Sequence, residues 1–347
     1  MISKIVPEVR HCRITIRHVA QQLNLSISTI SKALSKPQLV NPETVARVRK
    51  EVKRLDYRPN SIAQELKSGL GNTVFVIVSS FGPSSLAALD GIEAAAFALG
   101  YIVMIAHGGS NPMRQQEYFD LAYRGRAVGV IIISSVSLVA ENPQKLPPYP
   151  TVFALNADRL RNVASVSIDY SLEAEKATKH LIKLGHRRIG FIDSTLDNVC
   201  AERKYRGYKA ALASSGLGTK GAPSLATKCD HEGGKSAMQV LLKRKKAPTA
   251  VFIGSDEMAV GAIQAIRLAG LRIPEDISVV GFGDQIVSQI CDPPLTSVRV
   301  PAMDIGYRAM INLDLILRGK PPNSPTTLPC CLVSRGSTAV PSESKST

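Results

Sequence analysis

The nonapeptide Ser26-Ile-Ser-Thr-Ile-Ser-Lys-Ala-Leu34 decides the fold of the first part of this chain. Ile30, Ala33 and Leu34 recur at the spacing of one helix face, and Ser26 stands where a helix cap is favoured. Ile27, Ser28, Thr29 and Lys32 face away from that apolar side. Short side chains and a cation near a helix N-terminus suit base edges and thymine methyl groups in the major groove of DNA.

Two further predicted helices flank this one. Ile16–Leu23 predicts a first helix capped by Thr15, with Asn24 in the turn because Asn tolerates left-handed backbone dihedrals. Asn41-Pro42 predicts the start of a third helix, since Asn caps helices and Pro suits the first helical position. These segments predict a helix-turn-helix unit. A plain three-helix bundle with a solvated polar face is the alternative.

Positive charge is concentrated in this part of the chain. The 347 residues hold 43 Lys and Arg against 28 Asp and Glu, a formal charge of +15. Residues 1–70 hold thirteen of the cations and five of the acids, so they carry +8 and the other 277 residues carry +7. An excess of this kind indicates nucleic acid, an anionic membrane surface or an acidic partner. Its concentration beside a helix-turn-helix favours nucleic acid, and the +7 spread over the remainder supports no such inference.

Composition excludes other classes of protein. A hydrophobic content of 44% is enough to bury a core, which excludes wholesale disorder. The apolar stretches fall short of the roughly 18 residues of a spanning helix, and the N-terminus lacks the apolar region of a signal peptide. We therefore expect a cytoplasmic protein without membrane contact.

The cysteines predict neither a metal site nor a cofactor. They are Cys12, Cys200, Cys229, Cys291, Cys330 and Cys331, with no C-x-x-C pair and no His at metal spacing. The adjacent Cys330 and Cys331 are either a redox pair or two small buried side chains, and we expect the second.

After residue 71, apolar runs of strand length, such as Val74–Val78 and Ala250–Ile253, alternate with helical patterns, such as Leu86–Leu99. This alternation indicates parallel sheets covered on both faces, and the length indicates two such units. We predict a flexible basic arm at 1–13, a helix-turn-helix domain at 14–59, a hinge helix or linker at 60–70, a two-lobed α/β core at 71–340 and a disordered tail at 341–347.

Four segments in the first part of the chain resemble segments of a known family and follow one another at the same spacing. They are Ile14-Thr-Ile-Arg-His-Val-Ala20, Ser26–Leu34, Val40-Asn-Pro-Glu-Thr44 and Leu55-Asp-Tyr-Arg-Pro-Asn60. They resemble the headpiece of the LacI–GalR family of bacterial transcription regulators, and the match runs without a gap from Ile14 to Gly69.

The resemblance implies DNA contacts for two groups of residues. The expected base readers are Ile27, Ser28 and Lys32, and the expected backbone contacts are Thr15, Ser26, Thr29, Ser31, Asn41 and Tyr57. The chain departs from the family at His18, Asn24, Lys32 and Ser35, where Asp, Gly, Arg and Asn are usual. Because Lys lacks the planar fork with which Arg binds guanine, the family does not predict the operator sequence.

Ser61–Lys67 resembles the hinge helix of the family. Two turns of helix are marginal in water without tertiary support, and the resemblance implies that the segment folds on DNA and pairs with its dimer mate. Leu66 would then enter the minor groove and bend the duplex. Asn60, Ala63 and Lys67 are further expected DNA contacts. The alternative is a flexible linker with an isolated leucine.

The resemblance continues through the core. The matching segments are Gly185–Ile189, Pro248–Val251, Asp256–Gly261, Ile273–Gly281, Pro294–Val298 and Arg335–Thr338. The family's core is similar to periplasmic sugar-binding proteins, a doubly wound parallel sheet in each of two lobes around a ligand cleft. This implies a small-molecule effector, with a sugar or sugar acid as the default.

Polar residues just after predicted strands are the candidate effector ligands, because ligands of open α/β sheets bind beyond the carboxyl ends of strands. Asn156, Asp169, Ser255 and Asp284 follow strands, and Lys204 opens a helix after one. As a point charge, Lys204 suits a carboxylate or phosphate. Each of the five is otherwise a polar residue of a solvated loop.

The sequence carries no catalytic signature. Gly216–Gly221 satisfies G-x-G-x-x-G but follows a predicted helix, so it lacks the strand-to-helix turn that cradles a pyrophosphate. We expect His186 to be structural rather than a general base, and we predict that the chain is not an enzyme. An α/β enzyme with a DNA-binding appendage is the alternative that turnover of the pocket ligand would reveal.

These features predict a transcription regulator, in this family more often a repressor than an activator. A single headpiece reads only a few base pairs, so two combine as a homodimer on a near-palindromic operator. The effector controls the affinity for that operator. The alternative from another class is a solute-binding protein without a role on DNA, and residues 14–69 argue against it.

Overall fold

The computed structural model of the chain describes residues 14–35, 37–57, 71–109, 111–133, 149–155, 164–195, 198–219 and 223–342. The chain divides into two compact units between Gly71 and Asn72. The predicted basic arm, the hinge with Asn60, Ala63, Leu66 and Lys67, the candidate Asn156 and residues 343–347 lie outside the described residues.

Three helices form the first unit, as the sequence predicts. They are α1 (Ile16–Leu23), α2 (Ile27–Ser35) and α3 (Pro42–Arg54). Val19, Ile30 and Val48, one from each helix, are fully buried at the centre of the unit. Asn24 ends α1 in the left-handed conformation with φ of 51°, and Asn41 caps α3 by accepting the Glu43 N–H at 2.9 Å. The predicted turn and cap are therefore confirmed.

The second unit contains two parallel sheets, one in each lobe. The strands of lobe 1 are β1 (Thr73–Val78), β2 (Ile102–His107), β3 (Gly129–Ile133), β4 (Thr151–Leu155), β5 (Ala164–Ser167) and β11 (Thr326–Thr327). The strands of lobe 2 are β6 (Ile189–Ser194), β7 (Ser224–Thr227), β8 (Ala250–Ile253), β9 (Ser278–Gly283), β10 (Thr296–Arg299) and β12 (Cys331–Val333). The strand orders are β11-β5-β4-β3-β1-β2 and β12-β10-β9-β8-β6-β7. Only β10 and β12 pair antiparallel among the described strands.

Helices flank these sheets. They are α4 (Pro83–Leu99), α5 (Pro112–Leu121), α6 (Tyr170–Lys183), α7 (Val199–Ser214), α8 (His231–Leu242), α9 (Asp256–Leu268), α10 (Ile286–Ile290) and α11 (Ala302–Leu317). Every residue of β1 is buried, as a strand of a covered parallel sheet must be. Each such Val or Ile contributes about 2 kcal/mol through burial of its side chain. The predicted two-lobed α/β fold is confirmed, and no described helix is long and apolar enough to cross a bilayer.

Helix α11, which was not predicted from the sequence, returns the chain from lobe 2 to lobe 1. The helix packs against α4 and β4 although it directly follows β10 of lobe 2. Ile305, Ala309 and Leu313 are fully buried and recur at helical spacing, so the signal for a helix was present. Its return to the first lobe depends on tertiary packing, which periodicity does not record.

Two glycines set the distance between α4 and α11. A Cβ at Gly91 would lie 2.0 Å from the Met303 carbonyl oxygen, and a Cβ at Gly306 would lie 1.9 Å from that of Ala88. Each helix therefore meets the backbone of the other at a position that excludes any larger side chain.

We expect Gly306→Ala to lower the free energy of unfolding by about 2 kcal/mol or more, because the helices must separate to admit the methyl group. Denaturant unfolding followed by circular dichroism measures the change. Gly218→Ala is the control, since a Cβ there meets no atom of the described residues within 4 Å. Equal stability of the two variants would contradict the close helix crossing.

Candidate functional site

The exposed face of α2 carries the predicted base readers. Ile27 is 44% exposed, and Ser28 and Lys32 are also exposed, whereas Ile30 and Ala33 of the same helix are buried. A large apolar side chain left in water beside serine and lysine suits a thymine methyl group next to hydrogen-bonding base edges. The arrangement is that of a helix with one face packed and one face free for the major groove.

Three hydroxyl groups cluster at the start of α2. Ser26 Oγ accepts the Thr29 N–H at 3.1 Å and lies 2.8 Å from both the Ser28 and the Thr29 hydroxyl oxygens. The first turn contains no acidic residue. Hydroxyl donors at a helix N-terminus, where the helix dipole is positive, form a favourable environment for a phosphate.

Thr15 is the N-cap residue of α1, as predicted, and His18, where the family usually has Asp, completes the cap from the third position of the helix. His18 Nδ1 accepts the Thr15 N–H at 3.0 Å and lies 3.0 Å from the Thr15 hydroxyl oxygen. The departure is thus accommodated, because the imidazole nitrogen accepts the same backbone N–H that a carboxylate would accept. Among the described residues, no carboxylate is therefore hydrogen-bonded to Thr15, an expected contact of the DNA backbone.

The other residues expected to contact the DNA backbone differ in solvent exposure. Asn41 is exposed at the start of α3, and Ser31 is half-buried with its carbonyl oxygen accepting the Ser35 hydroxyl at 2.8 Å. Tyr57 is only 8% exposed and belongs to the apolar core of the unit. Its packing role is certain from burial, and its DNA contact stays a prediction.

Described effector candidates follow strands, as predicted. Asp169 comes after β5, Ser255 after β8 and Asp284 after β9. Two of them are helix N-caps. Asp169 Oδ1 accepts the backbone N–H groups of Ser171 and Leu172 at 3.0 Å, and Ser255 Oγ accepts the backbone N–H of Met258 at 3.3 Å. Their polar atoms are therefore fixed in position before any ligand binds.

Asp284 forms a buried ion-pair network. Its side chain is 1% exposed and binds Arg299 Nε and Arg335 Nη2 at 2.6 Å each, and it accepts the Ser288 hydroxyl at 3.0 Å. Burial opposes ionisation, but the hydrogen bonds from Arg299 and Arg335 outweigh it and hold the pKa of Asp284 below its ordinary value. Asp284 is thus a charged anchor between β9 and the C-terminal segment.

Lys204 differs most from its expected role. It lies within α7, which begins at Val199, rather than opening the helix, and it is 6% exposed. Its ammonium binds Asp193 Oδ2 at 2.9 Å and donates to the Gly254 carbonyl oxygen at 2.6 Å. The Phe282 ring centroid lies 5.1 Å from Nζ. Lys204 is consequently a paired internal cation and not a free point charge.

The ion pair of Lys204 is tightly enclosed. Burial alone would lower the pKa of Lys204, but the Asp193 carboxylate reverses that effect and raises it. A Cβ at residue 254 would lie 2.0 Å from Asp193 Cγ, so Gly254 leaves room for this carboxylate. Asp193 was not among the predicted site residues, although it follows the apolar stretch of β6 and so meets the rule that selected the other candidates.

A cavity of about 950 Å³ is lined by residues of both lobes. Lobe 1 contributes Pro83 and Ala87, and lobe 2 contributes Asp284 and Gln285. Among the predicted effector ligands that the structure describes, Asp284 alone lines this cavity. His231 and Glu257 also line it, and no sequence signal singled them out.

His186 and the adjacent cysteines lie outside these sites. His186, expected to be structural, is 1% exposed and hydrogen-bonds to Thr249 Oγ1 at 3.0 Å and the Ala339 carbonyl oxygen at 2.9 Å. Cys330 is half-buried, but Cys331 is exposed on the short strand β12, so the expectation of two buried thiols is wrong for Cys331. The described residues contain no group of three or more His, Cys, Asp or Glu that could hold a metal ion.

We expect Lys204→Met to lower the free energy of unfolding by about 3–5 kcal/mol, because it leaves the Asp193 carboxylate buried without a counter-charge. The double variant Asp193→Asn with Lys204→Met should recover much of that loss, and denaturant unfolding of the full cycle measures the coupling. Lys209→Met, at a half-buried position of the same helix, is the control. Additive effects of the two substitutions would contradict the internal ion pair.

Each of the two units is similar to a known protein family. Residues 15–60 match the lacI family of bacterial regulatory proteins, and residues 178–338 match the periplasmic binding protein-like domain. Catabolite control protein A of Priestia megaterium is 33% identical over 301 residues, which cover 86% of this chain and 90% of that protein. The HTH-type transcriptional repressor CytR of Escherichia coli K12 is 32% identical over 331 residues, covering 93% and 96% of the two chains.

A solved structure shows the same fold. The lac repressor dimer bound to operator and the anti-inducer ONPF superposes with a TM-score of 0.84 at 24% identity, covering 94% of this chain and 99% of that one. The chain therefore belongs to the LacI family of bacterial transcription regulators, with a DNA-binding domain followed by a periplasmic-binding-protein-like effector domain.

Proposed function

We propose that the protein is a homodimeric repressor of a near-palindromic operator, controlled by a small-molecule effector that binds between the lobes. The exposed face of α2 carries this proposal: Ile27, Ser28 and Lys32 stand in water on a helix whose other face is packed. One such helix reads only a few base pairs, so a second headpiece supplies the specificity that one lacks. The lac repressor dimer, bound to its operator, offers the precedent.

Neutral sugars are the effector class that the contacts of the core favour. Arg299 lines the cavity and is paired with Asp284, whereas Lys204 and Arg335 are not among the lining residues and are paired with Asp193 and Asp284. A sugar acid would have to compete with these carboxylates for its counter-charge, whereas a hydroxyl group needs only hydrogen-bond partners. Of the two default classes, we therefore place a sugar before a sugar acid.

Control of DNA affinity requires two states that the effector distinguishes. The cavity is lined by Pro83 and Ala87 of lobe 1 and by Gln285 of lobe 2, so a ligand that contacts both lobes binds better to one arrangement of the lobes than to another. That difference in affinity is the coupling energy available to change operator binding. We infer that the hinge at residues 60–70 transmits it.

Homodimer formation is supported by apolar side chains left in water on lobe 2. Leu268 at the end of α9 is 69% exposed, and Ile290 of α10 is 74% exposed. Ile102 and Ile105 of the edge strand β2 in lobe 1 are each 53% exposed. Exposed clusters of this kind mark protein interfaces, and a second copy of the chain would cover them.

Selection of genomic fragments by the purified protein tests the proposal. We expect one enriched near-palindromic site, and a screen of sugars should find a compound that releases it. Leu66→Ala should weaken binding to the selected site by about tenfold or more, because the minor-groove wedge is lost. Recovery of no palindromic site, or equal binding by the Leu66→Ala variant, would contradict the proposed function.

A base-reading role for Lys32 predicts a change in specificity. We expect Lys32→Ala to weaken operator binding by about tenfold and to relax the base preference at one position of each half-site. Gel-shift titrations on the operator and its single-base variants measure both effects. The control is Lys53→Ala, which removes an exposed lysine of α3. A loss that is uniform across all sequences would assign Lys32 to the DNA backbone instead.

The dimer surface makes a separate prediction. We expect Ile290→Asp to dissociate the dimer at micromolar protein concentration, since it buries a carboxylate in an apolar interface. Sedimentation velocity measures the oligomeric state. Val340→Asp, at a site that is 67% exposed, is the matched control and should stay dimeric. A dimer that survives Ile290→Asp would place the interface elsewhere.

A further inference from the structure

Cations converge on the amino-terminal edge of the lobe 2 sheet. Arg187 and Arg188 lead into β6, and the run Lys243-Arg244-Lys245-Lys246 leads towards β8. The Thr249 N–H donates to the Arg188 carbonyl oxygen at 2.8 Å, so the segments that precede β6 and β8 lie side by side. Arg272 precedes β9, the other strand paired with β8. We call Arg187, Arg188, Lys243–Lys246 and Arg272 the basic pole.

The basic pole holds most of the excess charge of the second unit. Its seven cations have two acidic neighbours in the sequence, Glu275 and Asp276, which leaves +5 of the +7 carried by residues 71–347. Asp276 Oδ2 already binds Arg272 Nε at 3.0 Å. No carboxylate of the described residues pairs with Arg187 or with the lysines and arginine of 243–246. Like charges collected in this way repel one another, and an acidic partner would relieve the repulsion.

A small pocket opens within the basic pole. Its volume is about 210 Å³, and Pro248 and Leu271 form part of its wall. Lys245 and Lys246, both exposed, line it together with the half-buried Asp276. Apolar wall atoms surrounded by exposed cations reproduce the arrangement of a protein interface, in which a pocket takes an anchor side chain and a charged rim surrounds it.

The same pocket disfavours nucleic acid as the occupant. None of the described residues that line it is aromatic, so they offer bases no stacking platform. The Asp276 carboxylate lies among the lining residues and would repel a phosphate. An acidic protein segment can place its carboxylates on the lysines and its apolar side chain in the pocket, away from Asp276.

We propose that the basic pole is a docking surface for an acidic segment of another protein, with one apolar side chain of that segment held in the pocket. Ser255 and Asp284 follow the carboxyl ends of β8 and β9, whereas Lys246 and Arg272 precede the amino ends of those strands. The proposed partner and the effector therefore occupy opposite edges of one sheet. This docking surface does not depend on the assignment of the effector.

Fluorescence anisotropy with the full chain tests the proposal at low ionic strength, where exposed charges are least screened. The probe is a labelled peptide of Asp and Glu with one central Phe, compared with the same peptide carrying Ser in place of Phe. We expect the Phe peptide to bind more tightly than the Ser peptide. Lys245→Glu with Lys246→Glu should weaken binding of the Phe peptide by about tenfold or more.

The control double variant is Arg124→Glu with Lys320→Glu, which makes the same charge change at exposed positions of lobe 1. It should leave binding of the Phe peptide unchanged. Equal loss in both double variants would show a general charge effect and overturn the proposal, as would equal binding of the two peptides. Binding of a non-operator DNA duplex is measured with the same variants. If Lys245→Glu with Lys246→Glu weakened DNA binding but not binding of the Phe peptide, the surface would be assigned to nucleic acid and the proposal would be overturned.

Discussion

Parallel pairing of the strands is the constraint on which the rest of the core depends. Each crossover between parallel strands brings the chain back to the same edge, so β6, β8 and β9 all end at one side of the lobe 2 sheet and all begin at the other. The carboxyl edge receives Asp193, Ser255 and Asp284, and the amino edge receives the basic pole. One sheet thereby presents two ends of different chemistry.

The charges of the carboxyl edge are used within the protein. Asp193 holds Lys204 against Gly254, and Asp284 ties Arg299 and Arg335 to the end of β9. Buried ions of this kind persist only when paired, because an isolated one meets a large desolvation penalty. Under the proposed function, an effector at this edge meets Ser255 and Asp284 already held in position by their hydrogen-bond partners. The headpiece shows the opposite use of charge and polarity, since its lysine and hydroxyl groups remain exposed for a partner.

Local patterns predicted the helix-turn-helix and most of the α/β alternation, and β8 has the predicted bounds. The caps at Asn24 and Asn41 were also predictable, because they depend on neighbouring residues alone. The return of α11 to lobe 1, the pairing of Lys204 with Asp193 and the gathering of the basic pole were not. Each joins segments that are distant along the chain, and only the topology of the sheets brings them together.

Reciprocal linkage between effector and operator tests whether effector binding controls DNA binding. The sugar is chosen because it stabilises the protein against heat. The dissociation constant of the operator is measured with and without a saturating concentration of this sugar, and the dissociation constant of the sugar is measured with and without operator. The account predicts the same ratio in both pairs, differing from one by about fivefold or more. A sugar that binds the core while both ratios remain at one would contradict it.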